Sequence, residues 1–290
     1  MQQNFLLGLA CAIGVIFIWS GFIVFSRLGV NTALTPFDVS ALRFVVAGAL
    51  TLPFVLRWWP RHLSLPIIAL LILTGPGGIY TLLMYFGLEN APAAYAGVFA
   101  NGSIPIFTMT LAAFLVRDIP GPRRIVAVAI IIAGGALVGW RGLNAGGPDV
   151  VQGLILFLTA SALLSIYIFG IGKWQVSPWQ ALAVINIPNM VLFLPLWYFA
   201  LPSGMGEAAV GDVLFQAAFQ GLGPGFLAVI LFTTAALHLG STATAGFSAA
   251  VPAGAAILAI PVLAEVPTPL EWAGIALVTA GLIILVLRKA

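Results

Sequence analysis

Charged residues are the scarcest class in this chain. Asp, Glu, Lys and Arg make up only 7% of its 290 residues, whereas hydrophobic residues make up 62%. Soluble domains usually carry about 25% charged residues, so a soluble fold could not cover its surface with the charge available here. The apolar residues come in long runs rather than in alternation, which favours membrane-spanning helices over a β-barrel. Composition therefore predicts an all-α integral membrane protein embedded in a lipid bilayer.

Other absences exclude further classes of protein. Cys11 is the single cysteine, so no internal disulfide can form. With two histidines, one cysteine and no paired acids deep in an apolar run, we expect no enzyme, no catalytic residues, no metal site and no cofactor. The chain lacks the glycine-rich loop with Lys and Ser/Thr that nucleotide-driven pumps require. It also lacks a basic run with interleaved aromatics, so nucleic acid is not an expected partner.

Ten apolar runs are long enough to cross a bilayer, since about 20 helical residues at 1.5 Å per residue span its hydrocarbon core. Proline recurs at the first position of these runs, where its missing N–H costs nothing. The predicted spans are Leu6–Arg27, Pro36–Arg57, Pro66–Leu88, Pro92–Val116, Pro122–Trp140, Val151–Gly172, Pro178–Leu201, Val213–Leu237, Thr242–Glu265 and Leu270–Leu287.

The two halves of the chain repeat one another at nearly the same shift. The matched landmarks are Gly75-Pro76-Gly77 with Gly223-Pro224-Gly225, Pro105 with Pro252, and Gly134 with Gly281. With five spans in each half, the second half must be inverted relative to the first. Inverted repeats that hold substrate between them are typical of secondary transporters. We therefore predict a first five-helix repeat over residues 1–145 and a second, inverted one over residues 146–290, around a central cavity.

The positions of Lys and Arg predict which side of the membrane each loop faces. A cytoplasmic N-terminus gives the inner segments most of the basic residues, namely Arg57, Arg61, Arg117, Arg123, Arg124, Lys173, Arg288 and Lys289. We also match Arg117, at the inner end of the fourth span, with Glu265, at the outer end of the ninth. Their opposite charges at one place in the repeat agree with inversion. Both termini are predicted to be cytoplasmic, in the inner membrane of a bacterium.

Short motifs in the first, second and fourth spans carry a family resemblance. They are Trp19-Ser20-Gly21-Phe22, then Ala41-Leu42-Arg43-Phe44 with Leu52-Pro53, then Ala91, Ala94, Gly97 and Pro105. With the repeat and the span count, they resemble the EamA type of the drug/metabolite transporter superfamily. That resemblance implies export of small metabolites through a cavity that spans one, three, four, six, eight and nine form.

The walls of that implied cavity carry aromatic and small polar residues without charge. The candidates are Trp19, Tyr80, Met84, Asn101, Tyr167, Phe226, Thr233 and Ser248. Uncharged, amphipathic side chains suit a neutral or zwitterionic substrate, and within the superfamily they point to the bacterial aromatic amino-acid exporters. We predict aromatic or large neutral amino acids as substrates. The alternatives are other amino acids, nucleobases or hydrophobic cations, or a channel instead of a carrier.

Single residues in the spans also have structural interpretations. The aromatic candidates could equally pack between helices. Arg43, the one charge clearly inside a span, could pair with Glu89 at an outer gate, hold a substrate carboxylate, or anchor the second span, and we favour the anchor. Asn186 and Asn189 are interpreted as residues that hydrogen-bond neighbouring helices.

Glycine and proline predict where the helices bend during transport. Gly77 and Gly225 lie in the matched breaks, and Pro105 and Pro252 interrupt the fourth and ninth spans, so these four residues are the expected hinges. Every acid lies near a predicted span end or in the seam between halves. Since no deep carboxylate can carry a proton, we predict downhill, facilitated export.

The fifth span has a face of small residues. Gly135 and Gly139 are four residues apart, a spacing that lets two helices approach closely. The face either packs the fifth span on the tenth or supports a homodimer, so both a monomer and a homodimer stay open.

Overall fold

The computed structural model describes residues 2–145, 147–239, 247 and 249–286, and all regular structure in these residues is helical. The helices are α1 (Gln2–Val30), α2 (Pro36–Thr51), α3 (Val55–Trp58), α4 (Leu65–Thr74), α5 (Gly78–Asn90), α6 (Ala93–Ala96), α7 (Ile104–Val116), α8 (Pro122–Ala145), α9 (Gly147–Lys173), α10 (Pro178–Ala200), α11 (Val210–Leu222), α12 (Ala228–Leu239), α13 (Val251–Leu263) and α14 (Pro269–Val286). A short 3₁₀ turn, Leu52–Phe54, joins α2 to α3.

Eight helical segments of the described part are long and apolar enough to cross a membrane. They are Phe5–Val30, Pro36–Trp58, Leu65–Asn90, Ala93–Val116, Pro122–Trp140, Gly147–Lys173, Pro178–Ala200 and Val210–Phe232. Two shorter apolar helices, Val251–Leu263 and Pro269–Leu285, follow them. The first eight predicted spans thus coincide with full-length segments, and the last two coincide with shorter helices. The predicted start of the ninth span, Thr242, lies outside the described residues.

Local sequence explains where α2 and α10 begin. The Thr35 hydroxyl accepts a hydrogen bond from the Asp38 N–H, and the Asp38 carboxylate accepts one from the Thr35 N–H. Ser177 and Gln180 form the same reciprocal capping box before α10. A proline follows each cap, where its fixed φ suits the first helical turn. Both helices therefore begin where the sequence predicted.

Several spanning segments are interrupted inside the bundle. Residues 75–77 separate α4 from α5, the π-helical turn Gly97–Asn101 precedes α7, and the π-helical turn Gly223–Leu227 separates α11 from α12. Pro105 and Pro252 lie in the first turns of α7 and α13. Because a first-turn proline removes no helical hydrogen bond, these prolines start helices rather than kink them.

The ends of α7 and α13 have the same backbone geometry. Each stops at a residue in the left-handed conformation, Arg117 with φ 57° and Ala264 with φ 56°. The next N–H, of Asp118 or Glu265, bonds a carbonyl six residues back in its own helix. Asp118 therefore occupies the position of Glu265, and the expected match of Arg117 with Glu265 is wrong by one residue. The two ends carry like charges, not opposite ones.

Helices of the two halves exchange partners. We name the two ends of the bundle after the last-turn cations of α1 and α9, as the Arg27 end and the Lys173 end. Helix α1 packs on α12 and α13, and α9 packs on α5 and α7, while α8 packs on α14 and α2 packs on α10. Each contact therefore has a counterpart when the halves are interchanged.

Two serine hydrogen bonds follow the same interchange. The Ser20 hydroxyl donates to the Val251 carbonyl at 3.4 Å, which ties α1 to the start of α13. The Ser165 hydroxyl donates to the Ile104 carbonyl at 3.2 Å, which ties α9 to the start of α7. Both acceptors immediately precede the matched prolines. Equivalent residues thus make equivalent contacts across the molecule.

Glycines allow α8 and α14 to pack backbone against backbone. A Cβ added to Gly134 would lie 2.6 Å from the Gly274 carbonyl oxygen, and a Cβ on Gly274 would lie 2.6 Å from that of Gly134. Gly135 and Gly139 instead face the Phe99 ring, with added Cβ atoms 3.8 and 3.1 Å from it. The small-residue face of Gly135 and Gly139 therefore accommodates Phe99, whereas the neighbouring Gly134 makes the contact with α14.

Candidate functional site

The break between α4 and α5 is filled by an amide from α10. The Asn189 side-chain oxygen accepts a hydrogen bond from the Gly78 N–H at 2.7 Å, and its nitrogen donates to the Ile185 carbonyl at 2.7 Å. A Cβ on Gly77 would lie 2.5 Å from that nitrogen. Gly77 is therefore required because the capping side chain occupies the space beside it.

The break between α11 and α12 is held by the same helix. The Asn186 side-chain nitrogen donates to the Gly225 carbonyl at 3.2 Å and to the Thr51 hydroxyl at 3.1 Å. A Cβ on Gly225 would lie 2.9 Å from the Cβ of Ala47 on α2. The sequence indicated that Asn186 bonds a neighbouring helix, but it did not identify the glycine break as the acceptor.

Arg43 lies between these breaks. It is 4% exposed, its Nη2 donates to the Pro76 carbonyl at 3.3 Å, and its Cζ lies 5.6 Å from the centre of the Phe22 ring. Its Nε has no partner, and Glu89 is exposed, so the expected Arg43–Glu89 pair does not form within the described residues. The Pro76 carbonyl and the face of the Phe22 ring are thus the groups in contact that compensate this charge.

Several predicted cavity residues belong to one cluster. Tyr80 and Met84 share the buried face of α5, at 6% and 0% exposure, and Trp19 packs half-buried against the same cluster. The Trp19 ring also stacks on Phe232, with centroids 5.6 Å apart. Tyr80 and Met84 thus share one face of α5, and Trp19 on α1 borders the same large cluster.

The remaining predicted residues are dispersed. Asn101, half-buried at the end of a π-helical turn, has no hydrogen-bond partner among the described residues, and Phe226 is half-buried in the turn before α12. Tyr167 packs in a separate cluster against α4 and α10, where its ring lies 2.8 Å from a Cβ built on Gly75. The side chain of Thr233 and all of Ser248 lie outside the described residues.

A buried polar network on α1, α5 and α11 was missed by sequence reasoning. The Tyr85 hydroxyl donates to the Gln220 side-chain oxygen at 3.3 Å, and the Gln220 nitrogen donates to Ser26 at 3.0 Å. Gln216 donates to the Phe25 carbonyl at 2.7 Å. The available signal was two glutamines four residues apart in an apolar run, which places both on one helical face.

At the Arg27 end an ion pair, which the sequence analysis also missed, joins distant helices. Arg27 bonds Glu265 and the Leu88 carbonyl, and the other Glu265 oxygen accepts from the Ala93 N–H at 2.8 Å. A cavity of about 390 Å³ lies beside the pair, and its lining includes Glu271. Arg27 and Glu265 each stand at the end of a span that the sequence predicted to reach the outer face of the membrane. This shared position was the signal available in the sequence.

The described residues hold no cluster of His, Cys, Asp and Glu that could bind a metal ion.

Residues 6–140 match the family model described as the EamA-like transporter family. Among curated proteins, a probable terminal-alkyne amino-acid exporter of Streptantibioticus cattleyicolor is 28% identical over 237 residues, which cover 78% of this chain and 74% of the relative.

A solved structure described only as a crystal structure of a protein shares the fold. It superposes with a TM-score of 0.62 over 96% of each chain at 19% identity. Apolar helices of spanning length agree with the family match at residues 6–140. The chain is thus similar to the EamA-like transporters over residues 6–140, and this match, together with the relative named as an exporter, indicates a transporter rather than an enzyme.

Proposed function

We propose that this protein exports aromatic or large neutral amino acids from the bacterial cytoplasm by alternating access. Ten spans form two inverted five-helix repeats, residues 1–145 and 146–290, around a central cavity in the inner membrane. Both termini face the cytoplasm, so the Arg27 end faces outward. The observation that carries the proposal is the relative whose name describes an amino-acid exporter and whose match covers 78% of this chain.

The partner exchange between the halves supports an inverted repeat. Helix α1 contacts α12 and α13 as α9 contacts α5 and α7, and the Ser20 and Ser165 hydroxyls bond equivalent carbonyls. The left-handed ends of α7 and α13 repeat as well. A unit and its inverted copy would produce these paired contacts, because a two-fold axis in the membrane plane interchanges the halves.

The side chains near the breaks support a neutral or zwitterionic amino acid as substrate. Trp19, Tyr80 and Met84 offer an aromatic and thioether surface suited to an apolar side chain. Asn101 and Phe226 are half-buried candidates that lie within the two π-helical turns. We retain them as lining residues, and we assign Tyr167 to support of the α4–α5 break because it packs against Gly75.

The movement proposed for the hinges uses the glycine breaks. Gly77 and Gly225 have neighbours so close that a side chain would change the bend. Pro105 and Pro252 fix where α7 and α13 restart after the bend. Bending at these four residues would open the cavity at one end while closing it at the other.

The hydrogen bonds of the buried acid Asp38 support downhill transport. Asp38 is fully buried at the start of α2 and accepts hydrogen bonds from Thr35, Trp197, Ser203 and Gly204. Donors from three segments thus satisfy both oxygens of this carboxylate, which supports a structural role for it rather than that of a proton carrier. We therefore propose facilitated export without tight proton coupling.

The test is counterflow of radiolabelled substrates in proteoliposomes across the twenty amino acids. Saturable exchange of phenylalanine, tyrosine, tryptophan or leucine is the expected result. Exchange restricted to nucleobases, hydrophobic cations or small amino acids would contradict the proposed substrate. Ohmic currents without saturation would identify a channel and contradict alternating access.

A further inference from the structure

The Arg27–Glu265 pair connects four helices at one end of the bundle. Arg27 lies in the last turn of α1 and also bonds the Leu88 carbonyl near the end of α5. Glu265 follows α13 and also accepts from the N–H of Ala93 at the start of α6. Arg27 stands at the C-terminal end of α1, where a helix dipole favours a cation, and the Glu265 carboxylate reaches the N-terminal end of α6, where N–H groups favour an anion. The side chains are 16% and 22% exposed, so the pair is half-sheltered from water.

The Lys173 end has a cation and an acid at equivalent positions, but these two residues do not pair with each other. Lys173 lies in the last turn of α9, as Arg27 does in α1, and Asp118 follows α7, as Glu265 follows α13. Asp118 instead bonds Arg124 at 3.1 Å, with both side chains more than half exposed. Lys173 is exposed and has no ion-pair partner in the part of the chain that the structure describes.

The helices that carry the two acids are buried to different degrees. Helix α13 buries five residues, Val251, Pro252, Ala255, Ala256 and Ala259. Helix α7 buries none, and near its end Phe114 and Leu115 are 83% and 61% exposed. Equivalent helices therefore pack differently, tightly beside the closed Arg27 end and loosely towards the Lys173 end. This difference is what one conformation of an alternating transporter requires.

We propose that Arg27–Glu265 is the outer gate and that Asp118 and Lys173 form the matching inner gate in the opposite conformation. The inference rests on the alternating access proposed above. When the halves exchange conformations, α7 adopts the packing that α13 has here, which brings Asp118 to Lys173 and away from Arg124. Lys173 stands eight residues after Ser165, whereas Arg27 stands seven after Ser20. The difference of one residue is about 1.5 Å along the helix and about 100° around it, which the long, flexible lysine side chain has to span.

Single cysteines report which end is open. The background variant Cys11→Ser removes the native thiol, Ala94→Cys reports on the cavity beside Glu265, and Ala112→Cys reports on α7. An impermeant maleimide is applied to intact cells for position 94 and to inside-out membrane vesicles for position 112. The rates of labelling then measure the populations of the two conformations.

Glu265→Gln should raise labelling at position 94 about fivefold and lower it at position 112, because the half-sheltered pair that closes the outer end is lost. The exchange of charges in Arg27→Glu with Glu265→Arg should return both rates towards their original values. Arg124→Gln, at the far end, should also raise labelling at position 94, because it frees Asp118 for Lys173.

Unchanged labelling in Glu265→Gln, or a rise at both positions together, would overturn the gate. Arg124 is exposed, so its variant tests the idea even where the Glu265 variant folds poorly. Labelling needs no substrate, which separates the two proposals. Opposite changes in labelling at positions 94 and 112 without amino-acid counterflow would support the gate and contradict the proposed substrate. Amino-acid counterflow with unchanged labelling would support the substrate and contradict the gate.

Discussion

Replacing Gly77 by alanine should destabilise the protein through one contact. The new Cβ would lie 2.5 Å from the Asn189 nitrogen and 3.1 Å from its Cγ. Asn189 cannot retreat without losing its bonds to Gly78 and Ile185. The backbone at Gly77 has φ −95°, which alanine adopts without strain, so the cost comes from the contact alone. Overpacking of this kind costs about 1–3 kcal/mol.

The second step of the test removes the side chain that alanine meets. Asn189→Ala alone should cost about 1 kcal/mol, because the Gly78 N–H loses its acceptor. In the double variant the new Cβ enters the vacated space, so the double variant should be about as stable as Asn189→Ala alone. The cycle should therefore give a coupling of about 1–3 kcal/mol between the two sites, equal to the cost of Gly77→Ala alone.

The measurement is the midpoint of thermal unfolding in detergent micelles. At about 2–4 °C per kcal/mol for large domains, Gly77→Ala should lower the midpoint by roughly 2–12 °C. Gly211→Ala is the matched control, because nothing lies within 4 Å of its added Cβ. Strictly additive losses in the double variant, or an unchanged midpoint in Gly77→Ala, would refute the capping of this break by Asn189.

Three further outcomes are expected. Gly134→Val should lower the unfolding midpoint by more than about 5 °C, since its Cβ would meet the Gly274 carbonyl at 2.6 Å, whereas Gly135→Ala should not. Tyr80→Ala should raise the half-saturating concentration of phenylalanine about tenfold in counterflow and that of alanine less, and Tyr80→Phe should retain affinity. Counterflow at equal pH on both sides should change less than about twofold between pH 6 and 8, and a pH gradient should not drive accumulation.

The sequence predicted those features of the fold that depend on neighbouring residues. The starts of α2 and α10 followed from the proline at the first position of each run, and the glycine breaks lie where the repeat predicted them. The position of Asp38 did not follow, because a segment far along the chain buries it: Ser203 and Gly204 fold onto α2 and bond its carboxylate. From its position near a span end, the sequence predicts that Asp38 is exposed to water, and only the contact with that distant segment shows that it is buried.

The candidate site was predictable by residue type but not by partner. Tyr80 and Met84 share a face because they are four residues apart on one helix, a local property. Arg27 and Glu265 are 238 residues apart in the chain, and only the packing of α1 against α13 brings them together. The match of Arg117 with Glu265 failed because it follows the 148-residue shift of the glycine breaks. The 147-residue shift of Pro105 and Pro252 pairs Arg117 with Ala264 instead, as the two left-handed helix ends do.

The supports of the two glycine breaks belong to one helix. Asn186 and Asn189 are three residues apart on α10, so they share a face, yet one holds the α11–α12 break and the other the α4–α5 break. Because both amides move with α10, a rotation that withdraws one of them also displaces the other. Under the alternating access proposed above, α10 would therefore couple the bends of the two halves through uncharged hydrogen bonds.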